Sequence, residues 1–255
     1  MLLVLFCYVL VACGNASATS PPQSEGQDSI PLLPLTLEDE LRDMGIRLFP
    51  DSNLSYSHAK VQVKQLRNQL TGSNKPSGFV DSVFVELLVN TLIPYWYGTP
   101  WSFEGHTAKP GIGEIACGYF VSTTLKDLGL ILNRYRLAQQ APIHEAKSLA
   151  IDTNFLQTIV GQEVQQNIQQ IQDRTSPGMY FIGFDASHVG FLLSRNGKIY
   201  LIHSNYLAAK GVMIERIEES EVFASYQRFY LVPLSANPGL KQKWLQAEQL
   251  KIITE

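Results

Sequence analysis

Three residues of this chain have types and positions suited to amide chemistry. Cys117 sits in Ile115-Ala116-Cys117-Gly118-Tyr119-Phe120-Val121, where a glycine-bearing loop turns into an apolar helix. His188 follows in Ser187-His188-Val189-Gly190-Phe191-Leu192-Leu193, and His203 in Tyr200-Leu201-Ile202-His203-Ser204-Asn205, both inside short strand-like runs. A thiol on a helix start is a nucleophile in waiting, and an imidazole is the usual base that takes its proton. A free thiol has a pKa near about 8.5, so it needs a helix N-terminus or a nearby imidazolium to become a thiolate at neutral pH. Placed in the first turn, Cys117 is expected to feel the positive end of the helix dipole. Its own backbone N–H is then a natural donor to an oxyanion.

The two histidines lie on a predicted β-hairpin, because Arg195-Asn196-Gly197-Lys198 carries the Asn-Gly pair that favours a two-residue turn. Pairing Arg195 with Lys198 puts His188 opposite Asn205 and His203 opposite Gly190, so three polar side chains share one face of the sheet. On that face His188 takes the proton from Cys117. Either His203 or Asn205 accepts the other imidazole N–H and fixes the tautomer.

Blander readings compete with each of these. Cys117 alone fits a buried, inert thiol packed as a small hydrophobe. His188 alone fits a satisfied core histidine, and the combination of three residues in order is what raises it. A zinc site of Cys117, His188 and His203 lacks the close-spaced ligand pair that anchors such sites, so no metal is expected. His106 falls in the loop before the nucleophile and could line a cleft, whereas His58 and His144 fall on exposed helix or loop. Pro110-Gly111-Ile112-Gly113 has no Lys-Ser/Thr ending and no preceding strand, so it is not a phosphate loop.

Positioning these residues requires helices first and strands second. Thr36 caps a first helix over residues 37–45; a second covers 57–70 with Val61, Val63, Leu66 and Leu70 near one side. A third, over 79–95, is apolar along most of its length, and Asp81 and Glu86 within it argue for a buried scaffold helix and against a membrane span. The Cys117 helix runs to about 126, residues 144–173 read as mainly helical with a Gln-rich surface part, and strands cover 179–184, 188–194, 198–203, 212–217 and 226–232. Residues 240–250 read as a polar helix. The fold class is α+β, with the N-terminal helices of 36–76 packed on a central antiparallel sheet and the chemistry in a domain over 77–233, followed by the C-terminal helix of 234–255.

The chain has 255 residues, 45% hydrophobic, and a formal charge of -3, which suits one globular domain with appendages. Lys and Arg are scattered without a basic stripe, so nucleic acid is not an expected partner. The first 12 residues are an uninterrupted apolar run of signal-peptide length, ending at Leu10-Val11-Ala12-Cys13. That ending resembles the lipobox of bacterial lipoproteins, which implies a signal peptide over 1–13 and lipidation of Cys13, although no Lys or Arg precedes the run. Residues 14–35, rich in Gly, Ser, Ala, Thr and Pro, read as a flexible tether. With Cys7 and Cys13 in the leader, Cys117 has no cysteine to pair with, and an unpaired thiol in an oxidising compartment is most simply retained for chemistry.

Gly98-Thr99-Pro100-Trp101, Cys117-Gly118-Tyr119-Phe120-Val121 with Leu128-Gly129, Pro177-Gly178, His188-Val189-Gly190, Asn196-Gly197-Lys198 and Ile202-His203 together resemble the NlpC-type cell-wall cysteine peptidases over residues 97–206. The resemblance implies a circularly permuted papain-like fold and cleavage of peptide bonds in peptidoglycan stems, commonly next to a D-isoglutamyl residue. It makes Cys117 the nucleophile, His188 the general base and His203 the orienting residue. Around them, Trp101, Tyr97, Asn205, Gly118 and Ser187 are expected to contact substrate. The family usually reads Asp-Cys-Ser-Gly-Phe, where this chain has Ala116, Gly118 and Tyr119 around the cysteine. An aspartate usually stands where Met179 does, and a tyrosine where Trp101 does, which leaves Tyr97 as the hydroxyl that could replace it.

The expected protein is therefore an exported, lipid-anchored thiol hydrolase of the cell envelope, on the periplasmic side or secreted. It is expected to work as a monomer on peptidoglycan peptide with no cofactor. Two rivals are an inactive relative that binds wall peptide, and a lipid-directed thiol acyl transferase on the same fold.

Overall fold

The structure, a computed structural model, describes residues 36–254. The predicted signal peptide with Cys13 and the predicted tether lie outside the described residues. Among these, nine α-helices and one six-stranded sheet form an α+β architecture.

The helix starts follow their caps. Thr36 accepts from the Asp39 N–H to open α1 (Leu37–Asp43), and Ser55 does the same for His58 in α2 (Tyr56–Leu70). The buried face of α2 is Ala59, Val63, Arg67 and Leu70, so Val61 and Leu66, expected near that face, are exposed instead. Arg67 explains the difference. Its guanidinium donates to the Gly129 carbonyl at 2.8 Å, so a cation and not Leu66 faces inward.

The long apolar helix is broken in character: α3 (Ser77–Glu86) runs into a π-helical turn over Leu87–Leu92 and a 3-10 turn over Ile93–Tyr95. The π turn presents Asn90, which donates to the Gly45 carbonyl and accepts from the Arg47 N–H, tying down the chain after α1. By length and composition Ser77–Tyr95 could cross a membrane. Here Leu88, Val89, Leu92 and Ile93 are core residues.

After α4 (Cys117–Leu128), closed by left-handed Gly129, come α5 (Arg134–Ala138) and α6 (Pro142–Ala150). Residues 144–173 are mainly helical as expected, but a short strand, β1 (Gln157–Val160), interrupts them before α7 (Val164–Arg174). The Gln-rich part of α7 faces outward, with Asn167, Ile168 and Ile171 buried. Then follow β2 (Gly178–Phe184), β3 (His188–Arg195), β4 (Lys198–Asn205), β5 (Gly211–Arg216), α8 (Glu221–Ala224) and β6 (Arg228–Pro233). The last helix, α9 (Pro238–Gln246), is no polar surface helix. Leu240 and Trp244 are fully buried, and the indole donates to the Leu128 carbonyl at 2.8 Å.

The strand order is β1-β6-β2-β3-β4-β5, with every pair antiparallel. Both faces are covered. Met179, Phe181, Phe191, Tyr200 and Ile202 point into the core shared with the large helices, while Tyr180, Ile182, Leu192, Leu201 and Phe229 face a second core under α7 and α8. This is why the strands read as continuous apolar runs without polar alternation. Asn196 and Gly197 both have positive φ, and Arg195 pairs with Lys198 as the Asn-Gly turn predicts.

Candidate active site

Two elements bring the thiol and the imidazoles together at one end of the sheet. Cys117 is the first residue of α4, and α4 packs on β3 and β4 through Phe120 against Phe191, ring centroids 5.8 Å apart. His188 is the first residue of β3. Cys117, Gly118, Ser187 and His188 line one cleft of about 560 Å³, together with Trp101, Tyr119, Tyr206 and Tyr226.

Behind the cleft runs a buried relay. His188 Nε2 lies 2.8 Å from His203 Nδ1, and His203 Nε2 lies 3.1 Å from Glu215 Oε1, which also accepts from the Ser220 hydroxyl. Both rings are buried, at 2% and 0% exposure, so solvent cannot choose their tautomers. The carboxylate does. Burial pushes Glu215 upward, but the bonds from His203 and Ser220 outweigh it and hold the group below its ordinary range, as an acceptor. It therefore takes the Nε2–H of His203, leaving His203 Nδ1 to accept the Nε2–H of His188. His188 Nδ1 is left with a lone pair for the cleft, the state a general base requires.

The register makes this possible. A Cβ on Gly190 would come to 3.0 Å from His203 Cβ and from the Ile202 carbonyl oxygen, so the glycine lets β3 and β4 approach closely here without displacing His203. Burial, then the charge of His203, keeps His188 well below the usual histidine range; burial also lowers His203, opposed by Glu215. Both imidazoles rest neutral.

The thiol differs from its sequence expectation. Burial raises Cys117 to about 11, while the backbone N–H of Val189 and those of Gly118 and Cys117 pull it down less strongly than burial raises it. The helix start does not by itself make a thiolate. The resting pair is a neutral thiol beside a neutral imidazole, so proton transfer to His188 has to accompany attack. Glu145 of α6 adds to this: it is 2% exposed, its Oε2 has no hydrogen-bond partner among the described residues, and burial pushes its carboxyl well up. Any charge on it opposes the thiolate.

Several expected contacts move. Trp101 lines the cleft with its ring 6.1 Å from that of Tyr206. Tyr97 does not line it: its hydroxyl is buried with no hydrogen-bond partner among the described residues, and burial raises it, so it cannot supply the phenol that Trp101 lacks. Asn205 is turned away as well, accepting the Leu207 N–H at 2.8 Å and donating to Met213 Sδ, which closes the β4–β5 loop. The residue that orients His188 is His203. Ser187 keeps its place, its hydroxyl 3.0 Å from that of Tyr226, which is in turn 3.2 Å from Tyr206.

Glu215, Tyr206 and Tyr226 escaped the sequence reading. Glu215 had one readable signal, since it shares a strand face with Met213, the residue opposite His203. Tyr206 and Tyr226 had none, because they reach the cleft from strand ends far apart in sequence.

Gly118 has a structural reason. A Cβ there would sit 2.7 Å from the carbonyl oxygen of Ala138, so the end of α5 rests directly on the residue after Cys117. Gly118→Ala is expected to cost about 1–3 kcal/mol of stability, the range for overpacking against backbone. Denaturant melts check this, and an unchanged midpoint would show that α5 yields.

No protein family matches the chain, and no curated protein or solved structure matches it either.

Proposed function

We propose that the protein is a cysteine amide hydrolase acting on peptidoglycan stem peptides, exported to the cell envelope and anchored through a lipid on Cys13. The observation that carries this reading is the relay Glu215–His203–His188, buried and ending in the cleft that holds Cys117. Cys117 Sγ attacks the amide carbonyl as its proton passes to His188 Nδ1. The positive charge is delocalised toward Glu215, and the backbone N–H of Cys117, at the first turn of α4, donates to the developing oxyanion. His188 then gives its proton to the leaving amine, and water, deprotonated by the same nitrogen, releases the acyl group. A nucleophile helix preceding an antiparallel sheet that carries the base fits the permuted papain-like order. No cofactor enters these steps.

The rings that line the cleft also suit a thiol acyl transferase, in which an amine replaces water in the second step. Product analysis separates the two.

The test needs no substrate. Alkylation of Cys117 by iodoacetamide is followed against pH, by mass spectrometry of the Cys117 peptide, in the wild type and His188→Ala. The wild type is expected to react about tenfold or more faster at neutral pH, because His188 takes the thiol proton during attack even though burial holds the resting thiol up near about 11. Superimposable profiles would remove His188 from the chemistry and leave the protein as a binder.

A further inference from the structure

The charge of the cleft narrows what it can take. Five of its lining residues are aromatic: Trp101, Phe103, Tyr119, Tyr206 and Tyr226. Gln139 and Gln140, just past α5, add carboxamides that can both donate and accept. The lining contains a single charged side chain, the exposed carboxylate of Glu104, and no Lys or Arg among the described residues. The segment outside the description supplies none either, because residues 1–35 contain no Lys or Arg and residue 255 is Glu.

Two cations near this end, Arg134 and Lys210, lie outside the cleft lining. Arg134 is 5% exposed and lies behind the cleft wall, its guanidinium 5.5 Å from the Tyr119 ring centroid and 4.6 Å from that of Tyr135. Its N–H groups bond the carbonyls of His106 and Thr107 and the Thr123 hydroxyl, bracing the loop before the nucleophile. Lys210 is exposed on the β4–β5 loop. Its charge reaches His203 and Glu215 from outside the cleft lining. The imidazole that does line the cleft rests neutral.

A free carboxylate entering this cleft would leave water, meet no cation and approach Glu104. A carboxamide in the same place keeps its size and gains partners in Gln139, Gln140 and the tyrosine hydroxyls. We infer that the cleft is selective for stem peptides in which the carboxyl beside the scissile amide is amidated, that is, D-isoglutaminyl in place of D-isoglutamyl. This deepens the hydrolase reading and rests on the cleft being its peptide-binding face.

Two synthetic peptides test it, identical except for a free or amidated α-carboxyl on the D-glutamyl residue. Cleavage is measured with the full-length chain, and equilibrium binding by calorimetry with Cys117→Ala. The amidated peptide is expected to show a kcat/KM about 10–100-fold higher and tighter binding, with Glu104→Gln narrowing the gap and Gln140→Lys reversing it. Equal rates, or preference for the free carboxylate, would overturn the inference while upholding the hydrolase. Tighter binding of the amidated peptide without any cleavage would support the charge preference and overturn the hydrolase. Failure to bind either peptide would overturn both.

Discussion

Replacing His203 with alanine is expected to lower kcat by about 10³-fold or more with little change in KM, because the relay that sets the tautomer of His188 is cut. His203 does not itself line the cleft and reaches it through the 2.8 Å bond to His188 Nε2. Without it, Nε2 is left in a buried site with no acceptor. The proton then shifts to Nδ1, and the nitrogen needed as the base is blocked. Cys117→Ala fixes the floor against which the loss is read, and Asn205→Ala, whose side chain bonds Leu207 and Met213 instead, should leave turnover within a few-fold of wild type. Glu215→Gln separates orientation from packing. The amide can present an N–H to His203 and reverse both tautomers, so a loss of comparable size with an unchanged melting temperature would establish that the carboxylate directs the relay. A fully active His203→Ala would show that His188 needs no partner and would sink the triad.

Removing the Glu40 side chain is expected to give the largest stability loss outside the hydrophobic cores. Glu40 sits on α1 and is buried, accepting from the Tyr200 hydroxyl, from Arg216 Nε and Nη2 at 3.2 and 3.0 Å, and from Lys198 Nζ at 2.8 Å. It therefore fastens the N-terminal helix to β4 and β5, the strands that carry His203 and Glu215. Glu40→Ala removes the carboxylate that Tyr200, Lys198 and Arg216 share in a half-dry site, for a loss of about 2–4 kcal/mol. At this chain length that lowers Tm by roughly 2–4 °C per kcal/mol.

The effect has a pH signature. Burial opposes ionisation, yet Lys198, Tyr200 and Arg216 together bring the Glu40 pKa from 4.5 down to about 2. A carboxyl with a depressed folded-state pKa contributes its full stability above the unfolded value and loses it as pH falls through the folded one. The gap between wild type and Glu40→Ala should thus be constant above about pH 5 and close between about 4.5 and 2. Denaturant melts at pH 7 and pH 2.5 measure both ends. Equal melts at pH 7 would mean that the three donors find other acceptors.

What could be read from the chain was local. The Asn196-Gly197 turn set the hairpin register, and the register put His188 and His203 on one face. Thr36 marked the start of α1, and Gly129 marked the end of the Cys117 helix. Each depends on a few neighbouring residues whose backbone preferences are strong enough to survive any tertiary setting. The readings that failed depended on what lies opposite. Leu66 is exposed because Arg67 found the Gly129 carbonyl, and the helix of Trp244 is core because the Leu128 carbonyl and Phe84 cover it. The short β1 was absorbed into a helix because four residues carry too little pattern to announce a strand.

The same division runs through the site. By itself the sequence determined the identity and order of the reactive groups, a lone thiol at a helix start and two imidazoles on paired strands. Tertiary structure decided which groups meet and in what protonation state. It placed Glu215 behind His203, turned Asn205 and Tyr97 out of the cleft, set Glu145 in a dry site from which its charge would oppose a thiolate, and raised Cys117 where the helix start alone would have lowered it. Spacing along a chain reports bonds a few residues long, whereas desolvation and charge pairing depend on every element that closes over a side chain.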